Sequence, residues 1–333
     1  MEFSVISPVI FNKLTDKNNP KSAGLKYTVT VTPTAVEYSF PLMQEEVVKA
    51  FIEDSSPMFF QSKKLTEKAS EKYIKQGQDL VKKNPLLIHY SSGRSVLMNC
   101  IQDRNYSIEK RFLLMNFVIK SMQNMIDQGK DADVPKFVNS FFAHTDRSDI
   151  IDYFKSITPN FAFSCIDAVS MINSLPDTPR FKPVKEKFLE RLGYAKDGSD
   201  LMSRPFEEFR DNYIEMKRWF YESYLKQGKE DSKEYYLENV IIGFIWSMNM
   251  PFSDFSKNIW DNFAFLNILF NTLKVLLTVY VTEENGDDGF VEAVCALDES
   301  LRAVNNGLVR VTIDSLDKRG FNTNGDMAVL AMS

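Results

Sequence analysis

The apolar segment at residues 259–281, IWDNFAFLNILFNTLKVLLTVYV, most constrains what this chain can fold into. It is long enough to span a bilayer as a helix, which takes about 20 mostly apolar residues. Asp261 and three asparagines interrupt it, however, and Lys274 adds a charge that hydrocarbon disfavours. We therefore predict a helix buried in the core of a soluble protein, with no membrane span.

Two further segments also predict helices. Residues 235–252, YYLENVIIGFIWSMNMPF, are apolar but too few to cross a bilayer, and they include Glu238. In residues 101–130, apolar side chains recur at i, i+4, i+7, i+11, i+14 and i+18 from Ile108, which is the spacing of one helical face. The residue before Ile108 is a serine, which is suited to cap the helix, and Gly129 is suited to end it.

The first forty residues follow a different pattern. Thr and Val alternate over Thr28–Thr32, which predicts a β-strand, and Pro33 after it predicts an edge position in the sheet. We therefore predict a small β-containing N-terminal element at residues 1–42. The rest of the chain, residues 43–333, is predicted to be mainly α, a multi-helix globular domain with a soft internal boundary near residue 180.

Three local predictions complete this outline. The Lys-rich residues 57–85 predict a single solvated helix, and residues 206–227 predict one long helix with an aromatic face. The acidic sequence NGDDG at residues 285–289 predicts a turn, because it lacks the alternating ligands of a calcium loop.

Composition and motif content exclude several classes of function. The formal net charge is −5 and no long run of like charges occurs, so no nucleic-acid partner is expected. No glycine-rich dinucleotide or phosphate loop is present. The two histidines lack the spacing of metal ligands, and three isolated cysteines predict neither a metal site nor a disulfide framework. The N-terminus does not resemble a signal peptide, so a cytoplasmic location is expected.

Charged residues in or beside the apolar helices are the candidates for a site. A buried carboxylate must be paired or protonated. Glu238 therefore either pairs with a neighbouring helix or acts as a general base or lysine-orienting group. Asp103, Arg104 and Tyr106 precede the Ile108 helix, where they either cap it and form a structural ion pair or contribute to a site.

Three blocks of sequence, in the same order, resemble the flagellin lysine-N-methylase (FliB-like) family of bacteria. The blocks lie at residues 97–130, 235–252 and 290–332. The family's long helix after the second block resembles NFAFLNILFNTLKVLL at residues 262–277, and FSVISPVIFNKL at residues 3–14 is similar to its opening segment. These similarities are patterns of apolar spacing and not catalytic motifs.

The chain departs from this family in its cysteines. Family members carry an N-terminal cysteine-rich portion that holds an iron–sulfur cluster, but residues 17–33 occupy that place without a cysteine. Where the family has a later cysteine beside an Ala-Arg pair, the chain reads LIHYSSGRSVLM at residues 87–98, with Arg94 at the retained arginine. A cysteine-ligated cluster normally needs four thiolates, so no iron–sulfur cluster is expected from this chain alone.

The resemblance implies transfer of a methyl group from S-adenosylmethionine to lysine ε-amines of flagellin. Methylation requires a neutral amine, so the site must desolvate the acceptor lysine or remove its proton. Under this hypothesis Glu238, as base or orienter, and Tyr106 are the candidate catalytic residues. Arg94, Arg104 and Trp246 are the candidate substrate-binding residues, with Tyr106 and Trp246 as pocket walls, and the donor-binding residues stay unidentified.

Three other interpretations stay open. The chain is alternatively a non-catalytic relative without the cluster, which binds a flagellar or secreted protein as a chaperone or regulator. A second chain rich in cysteine could instead supply the missing cluster. If the similarity were accidental and the chain an unrelated helical scaffold, the helices of residues 97–130 and 235–281 would not share one core.

Overall fold

The computed structural model describes residues 4–9, 14–15, 24–144, 146–201, 203–304, 306–320 and 322–333. The first part of the segment expected to replace the cysteine-rich portion, residues 17–23, lies outside the described residues. The described chain is mainly helical, with one small sheet formed by N-terminal residues. The predicted fold class is therefore confirmed.

A four-stranded mixed sheet forms the N-terminal element, in the order β2–β3–β1–β4. Strand β1 (Ser4–Pro8) is parallel to β3 (Ala35–Ser39) and antiparallel to β4 (Phe60–Lys64), and β2 (Thr28–Val31) is antiparallel to β3. The strand predicted at Thr28–Thr32 thus lies at the edge of the sheet, as expected.

Helices make up most of the remaining described chain. In order they are α1 (Glu45–Glu53), α2 (Glu67–Lys83), α3 (Tyr90–Ile101), α4 (Ile108–Asp127), α5 (Val134–Ala143), α6 (Ser148–Tyr153), α7 (Phe161–Ser174), α8 (Phe181–Arg191), α9 (Arg210–Trp219), α10 (Glu234–Ser247), α11 (Ile259–Tyr280), α12 (Gly286–Ala303), α13 (Asn306–Arg319) and α14 (Asn324–Met332). Short 3₁₀ turns precede α3, α5 and α9, and a π-helical turn at Phe220–Tyr224 follows α9.

The central element is α11, which packs against α4, α7, α8, α9, α12, α13 and α14. It is the one described helix long and apolar enough to cross a membrane, but that apolar window is wholly buried inside the fold. The polar side chains that interrupt its sequence find hydrogen-bond partners inside the fold. The Asn267 and Asn116 side chains form a reciprocal amide pair at 3.2–3.3 Å, and Asn271 donates to the Ser164 carbonyl at 2.9 Å.

The helices of the three resembling blocks share one hydrophobic core. Helix α4 packs against α3, α10, α11 and α14, and Phe112 of α4 stacks on Phe270 of α11 with ring centroids 3.9 Å apart. An unrelated scaffold with separate cores was expected to lack this arrangement. Gly243 sets how closely α10 approaches α1, because a Cβ there would lie 2.8 Å from Leu42 and 3.0 Å from Phe51.

Three local predictions are wrong. Residues 57–85 are not one helix, because Phe60–Lys64 pairs with β1 before α2 begins, so the sheet extends beyond residue 42. NGDDG is not a separate turn: Asn285 precedes α12, whose first turn contains Asp287, where the helix dipole favours a carboxylate. Residues 206–227 form a 3₁₀ turn, α9 and the π-helical turn, and no single helix.

Candidate functional site

Glu238 is fully buried on α10 and bound by two arginines. Arg104 donates to its carboxylate from Nη2 at 2.8 Å and from Nε at 2.9 Å, and Arg111 donates from Nη1 at 2.7 Å. The arginines are anchored in turn, Arg104 on the Ser55 carbonyl and Arg111 on the Ile101 carbonyl. This geometry matches the structural alternative for Glu238, an ion pair with a neighbouring helix. Its role as a base stays a prediction.

Tyr106 lies beside this ion-pair cluster. Its carbonyl accepts from Arg111 Nε at 2.8 Å, and its hydroxyl accepts from the Arg147 backbone N–H at 3.2 Å. Arg147 also pairs with Asp103 at 2.5 Å, so the residues before α4 form the predicted structural ion pair. The structure thus brings Arg104, Tyr106 and Glu238 together.

Arg94 and Trp246 form a second, separate cluster under the sheet. The Arg94 guanidinium carbon lies 4.5 Å from the Trp246 ring centroid, and Arg94 Nη2 donates to Glu37 of β3 at 3.0 Å. Trp246 Nε1 donates to the Tyr38 carbonyl at 3.0 Å, and its ring stacks on Phe60 at 4.1 Å. Arg94 and Trp246 are only 6% and 7% exposed, so this cluster fastens the sheet to α10 and leaves little room for a substrate.

A solvent-open cleft of about 590 Å³ lies elsewhere, where α4, α7, α9, the π-helical turn and α11 meet. Its volume is in the range of small-molecule sites, roughly 300–1,000 Å³. We call it the Lys217 cleft and define it by Glu109, Phe161, Lys217, Tyr221, Gln227 and Lys274.

Local structure explains how these side chains converge. Glu109 stands in the first turn of α4, and Lys274 lies one turn after Asn271 on the buried face of α11. Lys217 and Tyr221 are four residues apart, and the π-helical turn that begins at Phe220 sets the direction of Tyr221. Such turns occur frequently at functional sites.

Both lysines of the cleft have a lowered pKa. Burial lowers the pKa of Lys274 to about 7, and repulsion from Lys217 lowers it further, while Glu109 opposes the shift. Burial likewise lowers the pKa of Lys217 to about 8, again against the attraction of Glu109. The cleft therefore favours the neutral form of an amine.

The two lysines differ in their surroundings. Lys274 Nζ donates to the carbonyls of Ala331 at 2.7 Å and Leu330 at 3.3 Å, so it holds the last turn of α14. Lys217 is only partly buried, and its Nζ lies 4.1 Å from the Phe161 ring centroid and 5.8 Å from that of Tyr221. Lys217 is thus the amine that faces the open cleft.

Glu109 is the carboxylate among the six residues that define the cleft. Its carboxylate accepts from Gln227 Nε2 at 3.1 Å, and the Tyr221 hydroxyl also donates to it. Burial, together with the nearby Glu109 charge, raises the pKa of Tyr221 well above its usual value, so this hydroxyl stays a donor. An acid held by two donors beside two desolvated amines can orient an amine or accept a proton.

We expect the Lys274→Met substitution to flatten the dependence of stability on pH. Below pH 7 both folded and unfolded states carry the Lys274 proton, and the folded state bears the full cost of the buried charge. Between pH 7 and about 10.5 the unfolded state of the wild type binds more protons than its folded state, so the free energy of unfolding of the wild type rises with pH by up to about 1.4 kcal/mol per unit. The variant has no amine at this position and should lack that part of the rise. Urea denaturation at pH 6, 8 and 9.5 measures this rise.

The exposed Lys136→Met variant is the control and should follow wild type at each pH. Equal pH dependence of Lys274→Met and wild type would show that the Lys274 amine keeps an ordinary pKa.

Most residues of the Lys217 cleft escape prediction from sequence. Lys274 stands out as a charge in an apolar segment, and this was the only available signal. Lys217 belongs to a polar helix face that looks solvated, and it is covered by Phe161 of α7, which is distant in sequence. The candidate residues predicted from sequence lie in the two clusters around Glu238 and Arg94, and neither cluster shares a residue with the cleft.

The cysteines do not form a metal site in the described part of the chain. Cys100, Cys165 and Cys295 are free and buried on α3, α7 and α12, and burial raises the pKa of each thiol to about 12. No group of three or more His, Cys, Asp or Glu side chains suited to a metal ion occurs among the described residues. Since a cysteine-ligated iron–sulfur cluster normally needs four thiolates, the donor set of this chain does not fit one.

Comparison with known proteins gives one family match. The model of the FliB lysine N-methylase C-terminal domain matches residues 94–330. No curated protein and no solved structure matches the chain. The matched region begins at Arg94 and contains all six residues that define the Lys217 cleft, whereas the sheet precedes it.

Proposed function

The chain belongs to the FliB lysine N-methylase family, and from this premise we propose that it methylates lysine ε-amines of a flagellin-like protein, with S-adenosylmethionine as donor. We place the reaction in the Lys217 cleft and the protein in the cytoplasm. The observation that carries the proposal is the family match over most of the chain, and the lowered pKa values of Lys217 and Lys274 in a cleft of the matched region support it.

The residues of the cleft suit the proposed donor. The carboxylate of Glu222 at the rim can accept hydrogen bonds from the ribose hydroxyls of the donor. Arg218 at the rim can pair with the donor's carboxylate. The donor supplies an electrophilic methyl group on a sulfonium.

The cleft addresses the main chemical requirement of the acceptor. A lysine in water has a pKa near 10.4, so only about one amine in a thousand is neutral at pH 7.4. The environment that lowers the pKa of Lys217 and Lys274 would lower that of an incoming lysine for the same reason, since burial disfavours the charged form. Glu109 would then orient the acceptor amine or take its proton.

Replacing Glu109 by glutamine is expected to lower methyl transfer about 100-fold, since a positioned acid or base contributes roughly 10²–10⁴-fold to rate. The substrate is purified flagellin with added S-adenosylmethionine, and mass spectrometry counts methylated lysines over time. Glutamine keeps the shape of the side chain and removes its charge. The variant should bind flagellin as wild type does.

Two controls make this experiment decisive. Glu186→Gln, a change of a partly exposed residue on α8 outside the cleft, should leave transfer unchanged. Wild-type protein that folds and binds flagellin but never methylates it would overturn the proposal and favour a chaperone or regulator. Equal rates for Glu109→Gln and wild type would remove the reaction from this cleft.

A further inference from the structure

We propose that Lys217 is itself a methyl acceptor, so that the protein modifies its own cleft. This inference rests on the proposed function, because it needs the same donor bound beside the same residues. It adds an internal substrate and a means of regulation to that site.

The position of Lys217 favours it over Lys274, the other lysine that defines the cleft. Its Nζ lies 4.1 Å from the Phe161 ring centroid and 5.8 Å from that of Tyr221, and the residue lines the open cleft and is only partly buried. Among the described residues no hydrogen bond or ion pair holds this nitrogen. Lys274, by contrast, is 3% exposed and donates to two carbonyls of α14, so an external reagent cannot reach it.

The ionisation of Lys217 also suits an acceptor. Its pKa of about 8 leaves about half of the amine neutral at pH 8, whereas an exposed lysine with a pKa near 10.4 is roughly 0.4% neutral there. The nitrogen lone pair is therefore available far more often than that of a surface lysine.

The reaction balances without an oxidant or a second reagent. The Lys217 lone pair forms a bond to the methyl carbon as the bond between that carbon and the sulfonium sulfur breaks. The donor leaves as a neutral thioether, S-adenosylhomocysteine. The extra proton on nitrogen passes to water or to the Glu109 carboxylate, which lies in the same cleft.

Methylation would change how the cleft receives an acceptor. A methylated amine is still a cation when protonated, so it keeps its attraction to the Phe161 ring. The added methyl groups fill space between Phe161 and Tyr221, where an incoming lysine would enter. Self-methylation would therefore slow transfer to an external lysine.

The test incubates the full chain with isotope-labelled S-adenosylmethionine and no flagellin, then maps the label by peptide mass spectrometry. We expect label at Lys217 and none at Lys110, an exposed lysine on the same rim. Lys217→Arg should remove the label, and Lys110→Arg should retain it. An unlabelled Lys217 in protein that methylates flagellin would overturn this inference alone. If neither Lys217 nor flagellin is methylated, the proposed function fails as well.

A second measurement needs no donor. Limiting acetic anhydride labels neutral amines, so its reaction with Lys217 across pH 6–10 traces the ionisation of that amine. We expect a midpoint near pH 8, and more than tenfold faster labelling of Lys217 than of Lys110 at pH 8. A midpoint near pH 10, or a Lys217 that the reagent does not reach, would refute the inference.

Discussion

Replacing Glu238 by alanine is expected to lower the free energy of unfolding by about 3–5 kcal/mol. The change leaves the buried Arg111 without its carboxylate, and it frees Arg104 from a bidentate contact. An unpaired buried charge is costly because no water replaces the lost partner. Urea denaturation followed by circular dichroism measures the loss.

A matched control comes from an ion pair at the surface. Lys182 and Glu186 lie 3.9 Å apart with side chains 61% and 37% exposed, so Glu186→Ala should change stability by less than about 1 kcal/mol. Glu238→Ala with stability close to that of Glu186→Ala would show that the arginines are hydrated and that their ion pairs with Glu238 do not stabilise the fold.

Truncating Arg94 to alanine is expected to cost a similar amount, about 3–5 kcal/mol. Glu37, 4% exposed, would lose its cationic partner, although the Tyr90 hydroxyl still donates to it at 2.8 Å. The Met250 carbonyl would also lose its Arg94 donor, and the Ile245 carbonyl would keep the Met250 backbone N–H but lose Arg94. Because Arg94 covers the Trp246 ring, tryptophan fluorescence should report loosening of the sheet before the helical body unfolds.

The comparison for Arg94 is Arg180→Ala, which removes a half-exposed pair with Glu45. That variant should lose at most about 1 kcal/mol and keep the wild-type fluorescence. If Arg94→Ala unfolds in one step at the wild-type urea concentration, the cluster does not fasten the sheet to α10.

The sequence predicted those parts of the fold whose signals are local. The apolar spacing from Ile108 predicted α4, and the length of the mostly apolar segment at residues 259–281 predicted α11, because both signals lie within the helix itself. It did not predict β4, because Phe60–Lys64 is fixed by pairing with β1, more than 50 residues away. The strand propensity of a short segment carries no information about a pairing partner so distant in sequence.

The candidate site was harder to predict than the fold. Glu238 was recognised as a buried carboxylate, but its partners Arg104 and Arg111 are 134 and 127 residues away. Lys217 and Tyr221 were assigned to a single helix, whereas the π-helical turn and the docking of α7 form the cleft around them. Chemistry of this kind depends on desolvation, which only the packed structure defines.

The buried amides and lysine of α11 have a consequence for biosynthesis. While the chain leaves the ribosome, α11 is exposed until α12, α13 and α14 have been made, and its length would make it a substrate for the insertion machinery. A lysine at the centre of a span costs about 2.5–3.5 kcal/mol on insertion; Lys274 lies about one turn from the centre, so it would cost somewhat less, and the asparagines add to that penalty. The residues that hold the finished core together thus also steer the nascent polypeptide away from lipid.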